Sequence, residues 1–248
     1  MSAATIDELE SYFKEWVRQS KQLKILITGQ VGSGKSALIN TLIETTNGEN
    51  RGGQMAVEGD SVVSVTDEVR SYALRKNGVD VVLYDTPGLL DPTSFDYPTL
   101  DAIYKKSGGK IDLLIVCKRM GSRLDSGDTR MMQQITKYLG ESVWRNAVFV
   151  LTFANEVKPP RYQEAMPPTE VESIKYFAGK QKEIEVTLHE YLHKVGNVST
   201  DIAEKVPVVP AGYNDQSLPW RSNWYGALWL TLCERINAAS QPALLKAL

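Results

Sequence analysis

The sequence predicts an α/β fold of three layers: a mostly parallel sheet of about six strands, one of them an antiparallel edge, with helices on both faces. Three observations carry that expectation. Short unbroken aliphatic runs recur along the chain, as strands buried on both faces require. Patterns with helical spacing lie between those runs. The first run ends in a glycine-rich turn that opens directly into a helical pattern.

Taken in chain order, Thr5-Ile6-Asp7-Glu8 has the Thr-x-x-Glu form of a helix start, and Ile6, Leu9, Phe13, Trp16 and Val17 follow at helical spacing. This predicts a helix over 5–21 packed on the domain, its acidic first turn arguing against a membrane-surface role. The run at 23–28 is the first buried strand, and similar runs stand at 79–84, 111–117, 147–152 and 206–209. Helical patterns occupy 35–46, 98–107, 124–140, 168–195 and 221–238. The piece 61–74 alternates polar and apolar residues and joins 79–84 through Asn77-Gly78, which marks a hairpin and hence an antiparallel edge strand. The glycine-rich piece 47–60 and the proline-containing piece 156–168 read as loops. The division expected is an N-terminal helix at 1–21, one large domain at 22–240 and a tail at 241–248.

Composition narrows the function classes. With 42% hydrophobic and 23% charged residues, the 248-residue chain can bury a core. Its 28 Lys+Arg against 30 Asp+Glu leave a formal charge of −2, so it lacks the basic footprint of a non-specific nucleic-acid binder. Cys117 and Cys233 fall in a strand pattern and a helix pattern, where cysteine packs as a small hydrophobe; this suits a reducing compartment such as the cytoplasm. No run approaches the roughly 20 apolar residues of a membrane span, and the start lacks the basic-then-apolar order of a secretion signal. A peripheral place on an organelle membrane stays open.

Gly29-Gln30-Val31-Gly32-Ser33-Gly34-Lys35-Ser36 fits G-x-x-x-x-G-K-[ST] and lies between a buried strand and a helix that continues through Ala37. Glycines let successive N–H groups turn inward, and the helix start adds the positive end of its dipole, so the turn is a cradle for a di- or triphosphate. Lys35 brings a mobile cation to the phosphates, and the Ser36 hydroxyl is placed to ligate Mg²⁺. Asp85-Thr86-Pro87-Gly88 follows the strand at 79–84, which puts Asp85 near that metal and offers the Gly88 N–H to a γ-phosphate. Thr66 is a candidate third metal ligand, with Ser64 and Ser61 as competitors and a plain strand threonine as the alternative.

These residues carry a resemblance. GQVGSGKS followed by DTPG resembles the translation-factor-related GTPases, and the stretch from Ser122 to Val157 is similar to chloroplast outer-envelope import-receptor GTPases and, more distantly, to immunity-associated GIMAP-type proteins. The resemblance spans roughly residues 22–236. It implies a septin- or paraseptin-like G domain that binds Mg-GTP, hydrolyses it to GDP and forms a homodimer through its nucleotide face. It also implies an arginine reaching the partner's nucleotide, a role that Arg123 in Ser122-Arg123-Leu124-Asp125 matches by position; a solvated arginine at a helix start is the alternative, and Arg119 is a lesser candidate.

The sequence departs from ordinary GTPases in two places. Where [NT]-K-x-D reads guanine, this chain has Thr152-Phe153-Ala154-Asn155, without the lysine or the aspartate. Thr152 and Asn155 are candidate base contacts and Phe153 a cover, or they simply pack; Gly212 and Tyr213, after the last strand, are candidates for the second base loop. ATP therefore remains an alternative ligand. Leu89 and Leu90 stand where a water-orienting glutamine would follow Gly88, so a lone monomer is expected to hydrolyse slowly, and a nucleotide-gated scaffold with negligible turnover is the second expectation. Triphosphate is expected to order 47–66 and 88–98 for an effector. His189-Glu190-Tyr191-Leu192-His193 has the H-E-x-x-H form of a zinc protease, but helical geometry turns both histidines away from the apolar stripe of Ile184, Leu188, Tyr191, Leu192 and Val195, toward solvent.

Overall fold

In the computed structural model the described residues are 22–44, 70–76, 79–86, 97–159, 169–213, 218 and 223–236. The helix expected over 5–21, the loop 47–60 and the tail 241–248 lie outside them.

Strand β1 (Leu23–Gly29) is buried along nearly all its length and leads through the glycine turn to helix α1 (Lys35–Glu44). Strands β2 (Arg70–Lys76) and β3 (Val79–Asp85) follow, then α2 (Tyr97–Lys106), β4 (Leu113–Arg119) and α3 (Ser126–Leu139). Strand β5 (Ala147–Thr152), α4 (Glu170–Lys194), the single turn α5 (Thr200–Ala203), β6 (Val208–Pro210) and α6 (Trp224–Arg235) complete the order. The sheet reads β2-β3-β1-β4-β5-β6. Among the described strands only the β2–β3 pair is antiparallel, and its register brings Lys76 opposite Val79, as a two-residue connection at Asn77-Gly78 requires. The sheet class and the antiparallel edge agree with the sequence expectation; β2 covers the end of the alternating piece 61–74, whose residues 61–69 are outside the described ones.

Two strand boundaries differ from the aliphatic runs. β4 starts two residues late because the Asp112 N–H donates to the Lys24 carbonyl at 2.9 Å while the Asp112 carboxylate accepts from the Lys24 N–H at 3.0 Å, a side-chain contact ahead of the regular ladder. It extends to Lys118 and Arg119 because those polar residues pair with Leu151 and Thr152 of β5. β6 shifts to Val208–Pro210; a proline is accommodated because β6 is the sheet's far edge.

Helices α3 and α4 both begin with a reciprocal capping box, Asp125 with Asp128 and Thr169 with Glu172. From α4, Phe177, Ile184, Leu188 and Leu192 enter the core, while Tyr191 packs half-buried against it. Sequence periodicity misses the tight turn Glu141–Asn146, where Trp144 is fully buried and its indole N–H donates to Thr136 Oγ1 at 2.8 Å. The histidine expectation needs correction. His193 is exposed, but His189 is half-buried with Nε2 2.8 Å from the Val206 carbonyl, because the segment after α4 folds back along that helix. Cys117 is buried in β4, and Cys233 is half-buried in α6; burial pushes both thiols up to about 12, so neither is a reactive thiolate.

Candidate functional site

The parallel strands deliver their C-terminal ends to one edge of the sheet, where ligands of open α/β folds bind. Gly29 ends β1 there; a Cβ at this position would lie 2.6 Å from the Cys117 carbonyl oxygen. Gly34 has φ +81°, and its Cβ would meet the Phe153 ring at 2.6 Å. Glycine therefore lets the turn run hard against the ends of β4 and β5. From β5, the buried Thr152 hydroxyl donates to the Ser33 carbonyl at 2.7 Å and pins the turn from below. Val31 and Gly32 are exposed at its crest, Ser33 and Ala37 are buried, and Ser36 is half-buried in the first turn of α1.

Two buried charges meet behind this turn. The Lys35 ammonium donates to the Gly29 and Gln30 carbonyls at 3.2 and 3.1 Å, and burial lowers its pKa while Asp85 and, less, Cys117 oppose that shift. Asp85 ends β3 opposite Ile27, has no exposed surface, and neither of its carboxylate oxygens has a hydrogen-bond partner among the described residues. Burial raises its pKa to about 6 against the opposing pull of Lys35 and Arg70. Buried carboxylates are ordinarily satisfied. An orphaned one beside a glycine cradle, with the Ser36 hydroxyl on the adjoining helix, is the donor set of a hard divalent cation held with phosphate, so the residues present fit Mg²⁺. Thr66, with its competitors Ser61 and Ser64, and Gly88 lie outside the described residues.

The other wall is built from the segment after β5. Phe153 adopts a left-handed conformation (φ 53°, ψ 32°) that a bulky side chain seldom takes. The Arg119 guanidinium sits 4.4 Å from the centre of its ring and pairs with Glu156 at 2.7 Å. Tyr213 lies beside it with ring centres 5.1 Å apart. The Asn155 amide donates to the Tyr213 carbonyl at 2.9 Å and accepts from the Tyr213 N–H at 2.8 Å, which clips the two segments together. The structure thus brings Phe153, Asn155 and Tyr213 together with the half-buried Gly212 at hand, while the Thr152 and Asn155 side chains bond to protein groups. Arg119 and Glu156 form a further part of this wall; the available signal is a pair of cations ending an otherwise apolar strand.

Arg123 stands apart on an exposed turn, its guanidinium bonded to none of the described residues. Its carbonyl accepts from the buried Lys118 ammonium at 2.7 Å, and Lys118 pairs with the buried Asp128 at 2.6 Å. Among the described residues no group of three or more His, Cys, Asp or Glu side chains is arranged to hold a metal.

Residues 23–198 match the model of the AIG1 family. The chain belongs to the AIG1 family. Among curated proteins, this AIG1 chain is 32% identical to a translocase of chloroplast 34 homolog from Chlamydomonas reinhardtii over 56% of its length and 36% of that protein's. It is 30% identical to GTP-binding protein A of Dictyostelium discoideum over 62% of its length and 33% of that protein's. The matched stretch is thus about a third of each relative. In fold, the AIG1 chain is similar to Toc33 from Arabidopsis thaliana, solved in complex with GDP and Mg²⁺: TM-score 0.70 at 18% identity, covering 94% of this chain and 93% of that one. A dimerisation-deficient Toc33 variant superposes with TM-score 0.73 at 20% identity, over 95% and 93% of the two chains. Among the described residues, no helix of this AIG1 protein is long and apolar enough to cross a membrane.

Proposed function

We propose that this chain is a guanine-nucleotide switch: one G domain over 22–240 that binds Mg-GTP in the 29–37 turn, hydrolyses it slowly to GDP and pairs with a second copy across its nucleotide face. The observation that carries this is the orphaned, buried Asp85 carboxylate beside Lys35 and the glycine cradle. The family, and the GDP-Mg²⁺ and GMPPNP-Mg²⁺ complexes of the Toc33 fold neighbour, favour guanine nucleotide over the ATP alternative.

Backbone N–H groups from Gly29 to Ser36 surround the phosphates. Lys35 exchanges two backbone carbonyls for phosphate oxygens. Ser36, Asp85 and Thr66 hold Mg²⁺, whose chemistry is to neutralise charge on the β and γ oxygens. Gly88 donates its N–H to the γ-phosphate. Phe153, Tyr213 and Gly212 face the base, while Thr152 and Asn155 act as braces, one under the phosphate turn and one between the two base segments. No side chain at Leu89 or Leu90 can orient water, so hydrolysis is slow in a monomer, and Arg123 of one copy supplies cationic stabilisation to the phosphates held by the other. In the chloroplast translocon components atToc33 and psToc159, dimerisation is important for GTPase activity. In its pairing the chain follows the septin- and paraseptin-like mode, with import-receptor GTPases nearer than GIMAP-type ones. A cytoplasmic place, peripheral on an organelle membrane with an effector there, fits the chloroplast-translocon relatives.

The second reading, a scaffold that binds GTP without useful turnover, is favoured by the missing water-orienting side chain. Phosphate release per site, measured across protein concentrations with wild type and Arg123→Ala, separates the two. A rate that rises with dimer fraction and is lost in the variant supports the switch. A near-zero rate at every concentration supports the scaffold.

A further inference from the structure

The turn that presents Arg123 is held from two sides, and the two holds differ in kind. On the inner side, the buried Lys118 ammonium binds the Arg123 carbonyl at 2.7 Å and the Asp128 carboxylate at 2.6 Å, and Asp128 in turn accepts from the Asp125 N–H at 2.9 Å. This is a fixed anchor, closed off from solvent. On the outer side, the Asp125 carboxylate accepts from Gly127 and Asp128 N–H groups and also from Gln30 Nε2, at 2.8 Å. Gln30 belongs to the phosphate turn itself, and its own carbonyl is one of the two that the Lys35 ammonium occupies. A single residue therefore touches the phosphate-binding lysine with its main chain and the arginine-bearing turn with its side chain.

We infer that Gln30 and Asp125 form a positioning link that makes the Arg123 surface sensitive to what the phosphate turn holds, the partner on that surface being a second copy of this chain presenting nucleotide phosphates. The inference rests on the dimeric reading above and goes beyond it. The physical sequence is short. When the Lys35 ammonium leaves the Gln30 carbonyl for a phosphate oxygen, that carbonyl keeps one bond, from the Ser33 N–H at 3.1 Å, and the less tightly held peptide lets the Gln30 side chain move the Asp125 cap against the fixed Lys118–Asp128 anchor. Arg123 is two residues before Asp125, and with its carbonyl held by Lys118 its side chain is re-aimed, not carried along, when the cap shifts. The two arrangements the link would switch between are Lys35 on the Gln30 carbonyl, the one seen, and Lys35 on a phosphate oxygen.

The test uses Asp125→Ser, because serine still caps a helix but is too short to meet Gln30, and Asp125→Asn, which both caps and reaches. Sedimentation measures dimer dissociation in GDP and in a non-hydrolysable GTP analogue; labelled-nucleotide titration and melting temperature are recorded alongside. Wild type should dimerise more tightly in the triphosphate state. Asp125→Ser should lose at least fivefold of that difference with nucleotide affinity within twofold of wild type and melting little changed, Asp125→Asn should restore most of it, and Asp125→Ser with Arg123→Ala should be no weaker than Arg123→Ala alone. If Arg123→Ala abolishes the nucleotide dependence while Asp125→Ser keeps it, or the two losses add, the link is refuted and the dimeric reading stands. If wild type shows no nucleotide-dependent dimer, both fall.

Discussion

The two walls of the site obey opposite rules. On the phosphate wall, polar groups are left unsatisfied among the described residues: Asp85 has no partner for either oxygen and the Ser33 hydroxyl has none, while the buried Lys35 ammonium is bonded only to two main-chain carbonyls. On the base wall, polar groups are spent: Asn155 is bonded through both ends of its amide, Arg119 through Glu156 and the Phe153 ring. Groups held in reserve at a cost to the fold are there for a ligand, and groups already satisfied are there for shape. On the function proposed, the phosphate wall would bind charge, and the base wall would offer a stacked aromatic surface that discriminates between bases with fewer free polar groups than an [NT]-K-x-D reader supplies.

Breaking the phosphate wall should give the largest effects. Lys35→Ala removes charge-assisted contacts to phosphate, and triphosphate affinity in a labelled-GTP titration should fall by about 10- to 100-fold. Asp85→Asn should abolish the magnesium dependence of binding and yet stabilise the free protein. The Asp85 pKa is raised from 3.8 to about 6, so its favourable protonated form is fully present below pH 4, and that contribution is lost as pH rises through 6. The variant escapes the loss: its melting advantage should be absent near pH 4 and reach up to about 3 kcal/mol above pH 6. A variant no more stable at pH 8 than wild type would show that Asp85 is not held in reserve.

Breaking the base wall should cost less and act through structure. Asn155→Ala deletes both bonds to Tyr213 and should destabilise by about 1–3 kcal/mol, with base preference altered more than triphosphate affinity. Arg119→Ala removes an exposed ion pair and one ring contact and should cost about 0.5–1 kcal/mol in chemical unfolding. If it instead matched Lys35→Ala in lost affinity, the division between the walls would be wrong.

The legibility of the sequence follows the same division. The phosphate wall is readable because its chemistry is local: seven residues from Gly29 to Lys35 carry the turn, and Asp85 ends an aliphatic run that has to be a strand. The sheet class and its antiparallel edge are readable for a similar reason, since burial on both faces and the Asn77-Gly78 connection act over short spans. The base wall is legible only as a set of nearby candidates. Nothing in Thr152-Phe153-Ala154-Asn155 says that Asn155 grips Tyr213 across 58 positions, or that Thr152 supports Ser33 across 119. His189 reads as solvent-facing in the sequence because the segment that covers it lies beyond the helix. Arg123 is named as a candidate by position alone, and its clamp by Lys118 is not legible, since a lysine at the end of a strand reads as an exposed cation until the fold buries it at 6% exposure.

The central claim is that the reserve charges at 29–36 and Asp85 exist for a polyphosphate with a divalent cation. A calorimetric titration of the wild-type chain with GTP, with and without Mg²⁺ and with ATP as competitor, tests it most directly. The account predicts saturable binding that tightens with Mg²⁺ and is displaced by GTP better than by ATP. No saturable uptake of either purine triphosphate at millimolar concentration in the presence of Mg²⁺ would contradict it.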